Sequence, residues 1–260
     1  TSAHYTLTVD YDFKDAAFTD SKNIIFGVKE LALTGADLTV VQKDSGKTVG
    51  PGVSDPGCTV FGGKSVSVSG ESTLTVTTNE YANRVFYKSG VLAIDGDKAK
   101  VVFDKATSST VKLDMKNKAT LEIRDPLFTA ANLYGSVVES NIIVSGAEGH
   151  NLNLYGALSI TNSEITTDGT VGVYSDAALT ATGTTIEAKK ITTMKSTAGN
   201  EVLISGATIV ADEIAAGELD ALKLTSVTID GQTKIDAGLT VNVDTGLTVN
   251  KGAVLSVAGN

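Results

Sequence analysis

One eight-residue phrase recurs along this chain, and a chain that repeats itself about every twenty residues has few ways to fold. The phrase is "LSITNSEI" at Leu158 to Ile165, "LTATGTTI" at Leu179 to Ile186, "VLISGATI" at Val202 to Ile209 and "LKLTSVTI" at Leu222 to Ile229. Earlier versions are "LALTGADL" (Leu31 to Leu38) and "VSVSGEST" (Val66 to Thr73). Aligned on its Ser/Thr, the phrase falls at Ser140, Thr161, Thr182, Ser205 and Thr225. The apolar residue four places on is Val144, Ile165, Ile186, Ile209 or Ile229. A small or turn-prone residue follows each Ser/Thr: Asn141, Asn162, Gly183, Gly206, Ser226. A second column keeps step with the first. "NLYG" at Asn132 to Gly135 returns at Asn153 to Gly156, then "GVYS" at Gly172 to Ser175, which sets Tyr134, Tyr155 and Tyr174 in line, with Met194 continuing the line.

Within the phrase apolar residues alternate with polar ones, as in Leu158-x-Ile160, and alternation of period two places both on one side of a strand. Val, Ile and Thr dominate these runs and favour strands. Gly, Asn, Asp and Ser break them at short intervals. Two or three short strands per repeat, with no helical stripe, predict an all-β fold: a single-stranded parallel β-helix, or β-solenoid, with 20–23 residues per coil. "ADEIAAGELDALKL" (Ala211 to Leu224) comes closest to a helical pattern and is read as strand and turn. The handedness of parallel crossovers predicts a right-handed coil. One coil cannot bury its own apolar face, so its stability must come from its neighbours.

The chain is read as one solenoid domain over residues 1–260, most regular over 130–250. Residues 1–25 are expected to contain an N-terminal cap, because an open strand edge pairs with other chains. The Gly- and Pro-rich stretch 43–63 is expected to protrude as a loop between coils. The last segment, "GLTVNKGAVLSVAGN", stays strand-like throughout. It is read as a piece of a longer rod, or as an edge through which copies self-associate.

Composition removes several functions. The chain carries 21 basic and 30 acidic residues, a net charge of −9, and only two arginines, Arg84 and Arg124, so no nucleic-acid partner is expected. One cysteine, Cys58, allows neither an internal disulfide nor a thiolate zinc site. No apolar run approaches the eighteen residues of a membrane helix, and no membrane insertion is expected.

No constellation of catalytic residues stands out, and no cofactor or metal is called for. His4 and His150 lie far apart, and His150 is expected in an exposed turn. GxSxG and HExxH are absent. "DGDK" (Asp95 to Lys98) and "DYDFKD" (Asp10 to Asp15) place carboxylates at alternate positions but lack a full calcium loop. Glu164, Asp168, Glu187, Asp212 and Glu213 are scattered acids; Glu164 and Asp168 are expected around a turn, with Glu187 one coil on, where a pair of carboxylates could meet as in glycan hydrolysis. The candidate binding residues are Tyr134, Tyr155, Tyr174 and Met194. With Leu154 and Val173 inward, Tyr155 and Tyr174 point outward, giving an amphipathic stripe of the kind that meets partners, or a cover for a corner.

The stretch "TNSEITTDGTVGVYSDAALTATGTTIEA" (Thr161 to Ala188) resembles the right-handed β-helical passengers of bacterial autotransporters and related adhesins. The likeness covers about residues 130–250. It implies an exported protein of the bacterial cell surface that uses its length to present binding features, and it assigns no residue. The leading expectation is therefore a non-enzymatic, extracellular adhesin or assembly module whose partner is a glycan or protein on a host or neighbouring cell. The alternatives are a β-helix polysaccharide lyase or glycoside hydrolase, and a purely structural stalk or surface-layer segment.

Overall fold

Strand and corner alternate throughout this computed structural model, which describes residues 3–9, 24–26, 30–42, 59–61, 65–77, 84–86, 90–105, 110–126, 131–177, 179–197 and 199–258. No helix occurs among the described residues. Away from the ends of each column, a strand pairs in parallel with the strand one turn before it and the strand one turn after it. The chain is thus a parallel β-solenoid, and from Thr110 onward it runs through about seven consecutive turns.

Three columns of strands make up a turn. The first stacks Glu30–Thr34, Ser65–Ser69, Gly90–Asp95 and Thr110–Lys116. It continues through the later turns to Ala221–Thr225 and Thr240–Thr245. The second stacks Ala3–Val9, Ala36–Gln42, Thr73–Thr77, Lys100–Asp104, Thr120–Arg124 and Asn141–Ser145, and it runs on to Thr228–Ile229 and Thr248–Val249. The third begins as a separate sheet of Ile24–Phe26, Thr59–Phe61 and Arg84–Phe86. It resumes at Ala131–Val138 and ends at Val254–Val257. In the middle turns the strands bend through the corners without a break, as in Leu179–Met194 and Val202–Ala216, so that one strand serves all three columns.

The core is a set of aliphatic ladders. In the second column Leu74, Val101, Leu121, Ile142, Ile165, Ile186, Ile209 and Ile229 stack one on the next, and all are fully buried. Each such burial contributes about 1.5–3 kcal/mol. Between the first and second columns the chain turns through a residue with positive φ. Asn162 (φ 48), Gly183 (φ 63), Gly206 (φ 75), Ser226 (φ 52) and Gly246 (φ 60) share this place. The left-handed conformation costs an ordinary residue about 1–2 kcal/mol, whereas Gly has no such penalty and Asn little, which explains Asn162, Gly183 and Gly206 after the repeated Ser/Thr. Behind this corner runs a line of buried hydroxyls: Ser163 Oγ accepts from Ser140 N (3.1 Å), and Thr184 Oγ1 accepts from Ser163 N (3.3 Å).

The register corrects the sequence alignment at its first copy. Val138, not Ser140, stands opposite Thr161, and Ile142, not Val144, stands opposite Ile165. The alignment slips by two residues. A two-residue slip keeps every side chain on its own face, so alternation cannot detect it. Thr180 rather than Thr182 pairs with Ser205, across a bulge between Thr180 and Thr184. The pairs Thr161–Thr182 and Ser205–Thr225 stand as aligned. The Ala211 to Leu224 window is strand, turn and strand, as expected.

Of the segment expected to contain a cap, residues 3–9 form an outermost strand of the second column and 24–26 one of the third; residues 10–23 lie outside the described residues. Most of the expected protruding loop, residues 43–58, also lies outside them, and Thr59–Phe61 is a strand of the third column.

Candidate functional site: a tyrosine stripe on the third column

The four candidate residues come together as one line. Their strands pair with Leu133 opposite Leu154, Leu154 opposite Val173, and Tyr174 opposite Met194. Leu133, Leu154 and Val173 are buried, and their neighbours Tyr134, Tyr155 and Tyr174 point the other way and are half-buried. The rings of Tyr134 and Tyr155 lie 5.6 Å apart between centroids, tilted by 50°. Those of Tyr155 and Tyr174 lie 6.0 Å apart, tilted by 59°. Both separations fall inside the contact range of aromatic pairs. The stripe is therefore outward-facing and self-covering at once: each ring shields part of its neighbour.

A polar shelf runs beside the rings, two residues earlier on each strand. Asn153 Nδ2 donates to Asn132 Oδ1 at 2.8 Å. Asn153 is only 6% exposed, and its own Oδ1 has no hydrogen-bond partner among the described residues. That oxygen overlies Gly172, which stands opposite Asn153 in the ladder. A Cβ at residue 172 would lie 2.6 Å from it. The glycine thus leaves room for the Asn153 amide, and Oδ1 faces a backbone methylene, a weak contact in place of a full hydrogen bond. Around the far end, burial pushes the Tyr174 phenol pKa up, and the carboxylates of Glu218 and Asp176 push it the same way.

The scattered acids fall around a corner with Glu187 one turn on, as the sequence expects, and the carboxylates that come together are Asp168, Glu187 and Asp212. Glu164 and Asp168 share one strand, Glu164–Tyr174, whose irregularity between Thr167 and Thr170 makes the corner. Glu164 stands opposite Thr185, and Glu187 opposite Thr166, so the two glutamates are not partners in register. Asp168, Glu187, Lys189, Asp212 and Gln232 line a shallow groove of about 280 Å³. Asp168 spends both carboxylate oxygens on backbone: Gly146 N and Ala147 N each donate to it at 2.7 Å. Lys189 pairs with Glu148 at 3.0 Å and Lys190 with Glu213 at 3.0 Å. His150 is half-buried in a turn, its N donating to Ala147 O at 2.8 Å, rather than exposed. In the "DGDK" turn, Asp95 accepts from Asn117 Nδ2 at 2.7 Å and pairs with Lys116 at 3.3 Å.

Asn132 and Asn153 were visible in the doubled "NLYG" but not singled out, because their role depends on the glycine that faces Asn153. Glu218 and Asp176 carried no signal, since neither occupies a repeated place in the phrase.

Compared with protein-family models, with curated proteins and with solved structures, the chain matches none.

Proposed function

We propose that this protein is a non-enzymatic, extracellular β-solenoid that binds a glycan or protein on a host or neighbouring cell, with the tyrosine stripe as its contact surface. The observation that carries the proposal is the ring-to-ring ladder of Tyr134, Tyr155 and Tyr174, an aromatic line on the outside of a rigid sheet. Aromatic side chains give large contact area at low conformational cost and are enriched in protein interfaces. A solenoid suits such a role because its length sets out the same surface position again and again. The bacterial cell surface is the location that the resemblance of Thr161 to Ala188 supports.

A glycan and extracellular-matrix binding array tests this, with wild type beside the triple variant Tyr134→Ala, Tyr155→Ala, Tyr174→Ala. Binding by wild type that falls about tenfold or more in the variant supports the proposal. Binding that the variant retains in full removes the stripe from it. Glycan depolymerisation by wild type, lost in Glu187→Gln with Asp212→Asn, would instead favour a glycan-active enzyme working in the groove beside Lys189. That second reading draws on the groove's carboxylates. If wild type binds nothing and self-associates, the structural reading of a stalk or layer segment takes over.

A further inference from the structure

We propose that Tyr134, Tyr155 and Tyr174 are a site of oxidative cross-linking, in which neighbouring rings join as dityrosine and staple successive turns of the solenoid. This inference is independent of any partner binding to the stripe.

Among the described residues, the turns of the solenoid are held to one another by hydrogen bonds, packing and surface ion pairs, none of them covalent. With a single cysteine in the whole chain, no disulfide can join them. The stripe is where a covalent turn-to-turn bond has its reactants in place. The ring pairs are in contact at 5.6 and 6.0 Å. The ladder pairs Asn132–Asn153, Leu133–Leu154 and Leu154–Val173 fix the backbone immediately before each tyrosine, which keeps the three side chains on successive turns of one face. All three tyrosines are half-buried on the outer face, which leaves part of each accessible to an oxidant.

The reaction needs a one-electron oxidant, here hydrogen peroxide acting through a haem peroxidase. Each of two phenols gives up one electron and its hydroxyl proton. The two tyrosyl radicals join through ring carbons ortho to oxygen, forming one C–C bond. The ortho hydrogens then move to the oxygens, which restores both hydroxyls. Two electrons and two protons have left the pair, and they reduce one peroxide to two waters. Radical formation requires loss of the phenolic proton. Burial, Glu218 and Asp176 hold that proton more firmly on Tyr174. The closer approach of Tyr134 and Tyr155, 5.6 against 6.0 Å, together with the firmer proton on Tyr174, puts the Tyr134–Tyr155 bond ahead of the Tyr155–Tyr174 bond.

Cleavage after glutamate separates the reactants, because Glu139, Glu148 and Glu164 put the three tyrosines on peptides 123–139, 149–164 and 165–187. The experiment treats the dilute full chain with peroxidase and peroxide, digests it, and reads cross-links by mass. The expected product joins 123–139 to 149–164 with loss of two hydrogens. It should exceed links between separate molecules by about tenfold or more, since neighbours held on one scaffold meet at a far higher effective concentration than separate molecules. Tyr155→Phe should abolish both stripe links, Tyr134→Phe should leave only the slower one, and denaturant should erase the preference. The cross-linked protein should melt roughly 5 °C higher, because a turn is closed into a loop. Oxidised tyrosines without stripe links, links mainly between molecules, or the same pattern in denaturant would each overturn the proposal.

Discussion

Ile186 and Val249 occupy the same place in the second column, three turns apart, and meet opposite fates. Ile186 is fully buried, while Val249 is 43% exposed. The last turn repeats the contrast in its other columns: Val243 is 47% exposed where Leu224, opposite it one turn earlier, is buried, and Val257 is 68% exposed where Ile235 is buried. The residue types and the alternation are alike. What differs is the number of neighbouring turns. Burial in this fold is a property of the stack and not of the turn, as expected when each repeat contacts only its neighbours.

The contrast can be broken at its corners, where the largest effect is expected. Gly135 adopts φ +110, and a Cβ there would lie 2.3 Å from Leu113 O in the turn beneath. Gly252, near the end, adopts φ +91 with nothing within 4 Å. Gly135→Ala combines backbone strain with overpacking and should cost about 4 kcal/mol, against about 1 kcal/mol for Gly252→Ala, where strain acts alone. Urea unfolding of the two variants measures this. Equal losses would mean that the turns do not press on one another at Gly135.

A second pair sharpens the ladder itself. Ile186→Ala should lose about 3 kcal/mol through lost burial and the cavity left between two turns. Val249→Ala should lose less than about 1 kcal/mol, since nothing covers it on one side. If the two shifts in denaturation midpoint coincide, the terminal turn is covered in solution by a second copy, and sedimentation would reveal it.

The smallest effect lies on the outside of the second column. Arg124 Nε donates to Glu122 Oε1 at 2.5 Å, and Lys100 also pairs with Glu122. The Arg124 bond, with Lys100 behind it, pulls the Glu122 carboxyl down from 4.5 to about 2 despite an opposing effect of burial. A carboxyl depressed in the folded state stabilises the fold above its unfolded pKa, and that stability drains away as pH falls from about 4.5 to about 2. Screening at the surface limits the effect to about 1 kcal/mol. Glu122→Gln should flatten the acid limb of the stability profile in this window and leave the shape of the profile unchanged above it. A profile identical to wild type would remove Glu122 from the account.

Much of this was legible in the chain. The repeated Ser/Thr followed by Asn or Gly marks a corner because a left-handed residue is needed there, and Asn162 and Gly183 supply it. The tyrosine line was legible because it recurs in step with the phrase. Other features were not. Ser140 and Val144 fit the alternation as well as Val138 and Ile142 do, and nothing local separates the two registers. Asp168 resembles a free surface acid until Gly146 and Ala147, one turn away, are seen to donate to it.

By itself the sequence determined the period, the inward face of each strand and the places where the chain must turn, because these rest on alternation, backbone freedom and the apolar count within one repeat. Only the stacked structure decided the register between turns, the placing of the Asn153 amide over Gly172, the tilt and contact of the tyrosine rings, and which apolar side chains are covered. Those are contacts between residues about twenty apart in the chain, brought within about 4.8 Å by strand pairing, and no single turn contains them.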